Sequence, residues 1–195
     1  IFFQKKITFK LKMLLKNKTA VITGCNRGIG YSIMENFCKN GATVIACVRK
    51  SNQEFEKKIE SLSKNYVGKI HVISLDLENE AELKNILIKI KDLTKSIDIL
   101  VNNAGINQIS LFQMTPVENF RKVFEVNFFS LINFTQKILK IIKKNNFSKI
   151  INIASNAAQL CDIGRSAYAP SKAALIAFTK VLSKELGNSK INVNS

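Results

Sequence analysis

The sequence predicts an α/β protein in three layers, a doubly wound parallel sheet with helices on both faces. Three observations carry this reading. Short apolar runs alternate with longer amphipathic stretches along the chain, the pattern of strand–helix–strand units with right-handed crossovers. The apolar runs are nearly continuous, as expected of strands covered on both sides. A glycine-rich turn closes the first run and opens the first helical stretch.

Taken in order, the expected strands are Thr19–Thr23, Thr43–Cys47, Lys69–Leu75, Ile97–Val101, Lys149–Ile153 and Lys190–Val193. The expected helices lie between them, at Ile29–Lys39, Gln53–Lys64, Glu80–Leu93, Pro116–Lys144 and Ala167–Leu186. In the longest of these, Val123, Val126, Leu131, Phe134, Ile138 and Ile142 supply apolar positions for packing on the sheet or against a partner subunit. There are no tandem repeats and no low-complexity linker, so residues 13–195 read as one domain. Residues 1–12 are basic and apolar, but lysines interrupt every apolar stretch and no secretory core forms. They are expected to be an extension ahead of Met13, with an organelle leader as the alternative.

Composition narrows the function classes. Of 195 residues, 46% are hydrophobic and 23% charged, as in soluble globular proteins, and no apolar run approaches a membrane span. A cytoplasmic location is the expectation. The net charge of +16 invites a nucleic-acid or anionic-membrane reading, but the lysines are spread along the whole chain rather than clustered. Neither partner is expected, and the excess charge favours an anionic small ligand. The cysteines Cys25, Cys38, Cys47 and Cys161 form no Cys-x-x-Cys pair, and His71 is the only histidine, in a strand-like run. A metal site is not expected, and a Ser-His-Asp triad finds no support.

Two local patterns carry chemistry. The first is Thr23-Gly24-Cys25-Asn26-Arg27-Gly28-Ile29-Gly30. Gly24 allows a tight turn, Gly28 lets backbone approach a diphosphate, and Gly30 lets the helix sit close to the sheet. The helix N-terminus then offers N–H donors to phosphate. The second strand ends in Val48-Arg49-Lys50 instead of a carboxylate for ribose hydroxyls. With Arg27 in the glycine turn, Arg49 suits a 2′-phosphate, so NADP (NADPH) is preferred and NAD remains possible. The second pattern is Tyr168-Ala169-Pro170-Ser171-Lys172, with Ser155 upstream. A spacing of four puts phenol and ammonium on one helix face, where the cation favours phenolate.

With these motifs in this order, the chain resembles the short-chain dehydrogenase/reductase family. The matching residues are the Gly24–Gly30 turn, Asp76-Leu77, Asn102-Asn103-Ala104-Gly105, Asn127, Ser155 and Tyr168-x-x-x-Lys172. The look is closest to 3-oxoacyl-(acyl-carrier-protein) reductases. The resemblance implies a Rossmann-type fold and an NADP-dependent reduction of a carbonyl to a secondary alcohol. It implies cofactor contacts at Gly24, Asn26, Arg27, Gly28, Ile29, Gly30, Arg49, Asp76, Leu77, Asn103, Ala104, Gly105, Tyr168 and Lys172. Tyr168 would protonate the carbonyl oxygen, Ser155 would hydrogen-bond it, Lys172 would hold the nicotinamide ribose, and Asn127 would anchor a proton-returning water chain. The substrate would be a small carbonyl compound or acyl thioester. The full-length assembly would be a homodimer or homotetramer. Against the family pattern, the sequence ends before a final strand and substrate lid, so this chain is expected to lack both and to be unstable or weakly active alone. The alternatives are a family member acting on a sugar or polysaccharide precursor and a non-catalytic dinucleotide-binding protein.

Overall fold

The computed structural model describes residues 13–142 and 147–195. The expectation for residues 1–12, and the far end of the predicted Pro116–Lys144 helix, lie outside the described residues. Strands β1 (Thr19–Thr23), β2 (Thr43–Val48), β3 (Lys69–Ser74), β4 (Ile99–Asn102), β5 (Ser148–Asn152) and β6 (Ile191–Asn194) form one sheet in the order β3-β2-β1-β4-β5-β6. Every pairing is parallel. The order reverses between β1 and β4, which leaves a crevice at the carboxyl ends of those two strands. The two sequence motifs that follow β1 and β4 therefore meet there.

The apolar runs form strands because alternate residues feed two separate cores. Val21, Ile45, Leu100 and Ile150 pack with Ile86 and Ile90 of α3 (Glu80–Leu93), Phe134 and Ile138 of α5 (Ser130–Ile138) and Leu182 of α7 (Tyr168–Leu186). On the opposite face Ala20, Ile22, Ala46 and Val101 pack with Met34 of α1 (Gly28–Lys39) and Phe55 and Leu62 of α2 (Gln53–Asn65). Both faces are covered, which is the three-layer arrangement the sequence predicts.

Most strand ends shift by one or two residues from the expected bounds, and two of the shifts have a visible cause. The fourth strand starts at Ile99, because the Asp98 carboxylate accepts the Thr19 N–H (2.9 Å) and Ile97 instead bridges to Ile142. The sixth starts at Ile191, because Lys190 adopts left-handed backbone with φ of 54°. The larger departure is in the predicted long helix. It is α4 (Val117–Phe124), a π-helical turn at Glu125–Phe129, and α5, which ends at Ile138. A short α6 (Ala157–Leu160), not predicted, follows β5. The apolar positions expected along this stretch, Val123 to Ile142, are buried as anticipated.

Candidate active site

The glycine turn makes an open cradle at the sheet's carboxyl edge. Gly24 takes φ of +74°, and its N–H and that of Cys25 donate to the Cys47 carbonyl (2.9 and 3.2 Å), which ties the turn to β2. Gly30 lies directly beneath the turn, where a Cβ would come within 2.3 Å of the Gly24 carbonyl oxygen and 2.4 Å of Asn103 Nδ2. Gly28 takes φ of +60° and faces open space, with nothing within 4 Å of the point a Cβ would occupy. Arg27 caps α1 through extended backbone without a side-chain hydrogen bond, so the helix N-terminus keeps its donors free for a ligand.

The β4 end is fastened to this turn. Asn103 Nδ2 donates to the carbonyls of Thr23 (2.9 Å) and Gly24 (3.2 Å), and the N–H groups of Asn103 and Ala104 both donate to Thr23 Oγ1 (3.0 Å each). A cleft of about 430 Å³ results. It is lined by every predicted cofactor residue of the β1, β2, β3 and β4 ends except Gly30, which supports the turn from below. Leu77 and Asp76 form its β3 side; the Asp76 carboxylate accepts the Glu78 N–H (3.0 Å). Arg27 and Arg49, both exposed, stand where this cleft opens into a second one of about 690 Å³ that also contains Lys50, Lys58 and Glu54. Lys58 is held there by Glu54 at 2.6 Å.

The other end of the cleft runs into a recess of about 390 Å³ through shared residues Ile29, Asn103, Gly105 and Ile106. Ser155, Tyr168 and Lys172 line that recess together. Lys172 is only 4% exposed; its Nζ donates to the Ile153 carbonyl (2.8 Å) and lies 5.9 Å from the Tyr168 ring centroid. Burial pushes its pKa down to about 8, so the amine can lose and regain a proton near neutrality. Ser155 Oγ accepts the Ala157 N–H at 3.2 Å, and among the described residues its one other hydrogen bond is a long one, donated to Asn156 Oδ1 at 3.4 Å. The hydroxyl hydrogen is therefore weakly engaged and can turn to another acceptor.

Asn127 lines neither cavity. It is fully buried in the π-helical turn behind Gly105. Its Oδ1 accepts the Ile106 N–H (2.8 Å), and its Nδ2 donates to the Ile106 carbonyl (2.9 Å) and Ser171 Oγ (3.1 Å). It thus fixes the backbone between the two cavities and ties it to α7. Sequence reading missed a second buried polar group. Asn102 Nδ2 donates to Thr135 Oγ1 (2.9 Å) and Asn152 Oδ1 (2.8 Å), and Asn152 Nδ2 donates to Thr179 Oγ1 (2.8 Å). The signal was an asparagine at the end of each of two apolar strands. The four cysteines are free, and burial lifts the Cys47 thiol to about 12, which makes it unreactive.

Among the described residues no cluster could hold a metal ion, and no helix is long and apolar enough to cross a membrane.

Comparison with known proteins agrees with this geometry. The family described as short chain dehydrogenase matches residues 18–195. A 3-oxoacyl-(acyl-carrier-protein) reductase of Aquifex aeolicus is 33% identical over 185 residues, covering 95% of this chain and 74% of the relative. A 3alpha-hydroxysteroid dehydrogenase of Mediterraneibacter gnavus is 35% identical over 185 residues, covering 94% and 73%. Among solved structures, the Pseudomonas aeruginosa RhlG/NADP active-site complex superposes with a TM-score of 0.85 at 32% identity, covering 94% of this chain and 72% of that one. A 3-oxoacyl-(acyl-carrier-protein) reductase of Brucella melitensis, in complex with NAD, gives 0.81 at 28% identity, covering 90% and 70%. The match spans nearly the whole chain and the fold superposes closely on those solved structures, so this protein belongs to the short-chain dehydrogenase family and is an oxidoreductase of carbonyl and alcohol groups.

Proposed function

We propose that this protein is an NADPH-preferring reductase that converts a ketone to a secondary alcohol, with 3-oxoacyl compounds as the first substrate class to test. The observation that carries the reading is continuity. A cleft shaped for a dinucleotide opens, through four shared residues, into the recess that holds Ser155, Tyr168 and Lys172.

The residues present fit a dinucleotide. The uncapped N-terminus of α1 and the bare Gly28 suit a diphosphate. Asp76 and Leu77 would border the adenine, Asn103 to Gly105 the central sugars, and Lys172 the nicotinamide ribose. Arg27 and Arg49, with Lys50 and Lys58 close by, favour the extra phosphate of NADP over a bare ribose. When bound, the cofactor supplies the hydride.

The chain's own residues do the remaining work. Tyr168 donates a proton to the substrate oxygen, and Ser155 donates a hydrogen bond to the same atom, so developing negative charge meets two positioned donors. Lys172, one turn after Tyr168 and buried, holds a proton near neutral pH that can replace the one Tyr168 gives up. Asn127 is a positioning residue: it keeps Ile106 and Ser171 in place and so keeps the recess in register with the cleft.

The test follows NADPH absorbance with acetoacetyl thioesters and keto-sugars. Wild-type protein should consume NADPH with at least one of them. Tyr168→Phe should abolish turnover while NADPH still binds in a fluorescence titration. Unchanged turnover in Tyr168→Phe would remove the assignment.

A further inference from the structure

One cation stands between the catalytic recess and the open surface beside it. Arg165 lies three residues before Tyr168 in the turn leading to α7. Its guanidinium carbon is 5.5 Å from the Tyr168 ring centroid, and one of its nitrogens donates to Asn107 Oδ1. Asn107 lines the recess with Tyr168 and Lys172, whereas Arg165 lines a neighbouring apolar groove of about 700 Å³. The arginine itself lines the groove, and its bond to Asn107 links it to the wall of the recess.

Its partners are neutral. Among the described residues no carboxylate forms an ion pair with it. Asp162 lines the same groove, but the hydrogen bond between these two residues is from the Arg165 N–H to the Asp162 carbonyl (3.2 Å), backbone to backbone. A half-buried guanidinium held by an amide and a ring face keeps its full charge and unused donors. A planar fork of this kind matches a carboxylate in two parallel hydrogen bonds. The guanidinium carbon lies 5.5 Å from the centre of the ring that carries the Tyr168 hydroxyl, so a small ligand extending from the recess past Asn107 to the groove would bring a carboxylate to Arg165 and a carbonyl to Tyr168.

We propose that Arg165 is a specificity residue that selects an anionic carbonyl substrate, a ketone bearing a carboxylate a short chain away from the reacting carbon. This rests on the carbonyl-reductase reading and narrows it: within 3-oxo compounds, the free acid is preferred over its neutral ester or thioester.

The experiment compares acetoacetate and longer 3-oxo acids with their methyl esters and N-acetylcysteamine thioesters, under NADPH, in wild type, Arg165→Gln and Arg165→Lys. In wild type the acid should lead in kcat/KM by about tenfold to a hundredfold, the worth of a charge-assisted hydrogen bond. R165Q should bring the acid-to-ester ratio close to one, and R165K should restore part of it, because lysine keeps the charge but loses the fork. Calorimetric binding of the corresponding hydroxy acid should weaken with added salt more steeply in wild type than in R165Q. Should R165Q fail to fold, the wild-type ratio and its salt dependence decide alone. A wild-type ratio near one, or a preference that survives in R165Q, overturns the proposal while leaving the reductase reading in place. A protein that reduces none of these compounds overturns both.

Discussion

Replacing Lys172 by methionine isolates the electrostatic cost of burying its ammonium. The side chain is 4% exposed, its Nζ is bonded to a neutral carbonyl, and burial takes its pKa from 10.5 down to about 8. At roughly 1.36 kcal/mol per pKa unit, the charged form costs the fold about 3 kcal/mol. Below about pH 8 the lysine is protonated in both folded and unfolded chains, and that cost is constant. Between about 8 and 10.5 the unfolded chain still binds the proton that the folded chain has released, so stability rises with pH. Above 10.5 both states are neutral and the cost is gone. Methionine has similar length and never carries the charge, but it leaves the Ile153 carbonyl without its donor, a loss of about 1–3 kcal/mol. The two effects nearly cancel near neutral pH, where the two proteins should differ by less than about 2 kcal/mol. Urea unfolding carried from about pH 7 to 10.5 should then raise wild type relative to Lys172→Met by about 3 kcal/mol, since all other lysines titrate alike in both. A gap constant to within about 1 kcal/mol across that range would refute the claim that burial holds Lys172 down.

Two further perturbations probe the cofactor cradle. Gly30→Ala drives a methyl against the Gly24 carbonyl and Asn103, both fixed, and should cost about 3 kcal/mol in urea unfolding and abolish NADPH binding. Gly28→Ala meets open space and should cost only the left-handed backbone penalty, about 1–2 kcal/mol; equal losses for the two variants would contradict the geometry. Arg49→Asp places a carboxylate beside the proposed 2′-phosphate position and should shift the NADPH-to-NADH affinity ratio by about tenfold or more in fluorescence titrations, and an unchanged ratio would remove Arg49 from cofactor selection.

Much of the fold could be read from the chain because two-sided burial leaves a plain trace. Thr43–Val48 is apolar at nearly every position since Val44, Ala46 and Val48 feed one core while Ile45 and Cys47 feed the other. The cleft was legible for a related reason: the residues that line it follow directly on strands that are easy to recognise. Periodicity failed at Glu125–Phe129. Glu-Val-Asn-Phe-Phe contains no glycine or proline, so nothing in it announces a break. The structure shows the cause in contacts distant in sequence. Ser130 Oγ donates to Glu125 Oε1 (2.8 Å) across five residues, and Asn127 turns inward to clamp Ile106, twenty-one residues away. A π-turn adds one residue to the helix, and that extra rotation is what carries Asn127 to the backbone behind Gly105. Arg165 was equally silent, because its role depends on Asn107, which the sequence places 58 residues away.

The buried polar group at Asn102 and Asn152 explains why the recess holds its shape. These two residues face each other at the carboxyl ends of β4 and β5. Burying amides in the centre of an apolar sheet is unfavourable unless they are bonded, and here one donor, Asn102 Nδ2, meets Thr135 of α5 and Asn152, which in turn meets Thr179 of α7. The two threonines also donate back to their own helices, at Leu131 (2.8 Å) and Leu175 (2.7 Å). Apolar contacts alone would allow α5 and α7 to slide on the sheet by a fraction of a turn at little cost, since methyl groups have no preferred direction. Hydrogen bonds have one, and a slide would strand buried donors at about 1–3 kcal/mol each. The helix after Asn127 and the helix bearing Tyr168 and Lys172 are thereby indexed to the ends of β4 and β5, the two strands whose following residues border the recess. Asn102 Oδ1, which has no partner among the described residues, marks what that indexing costs.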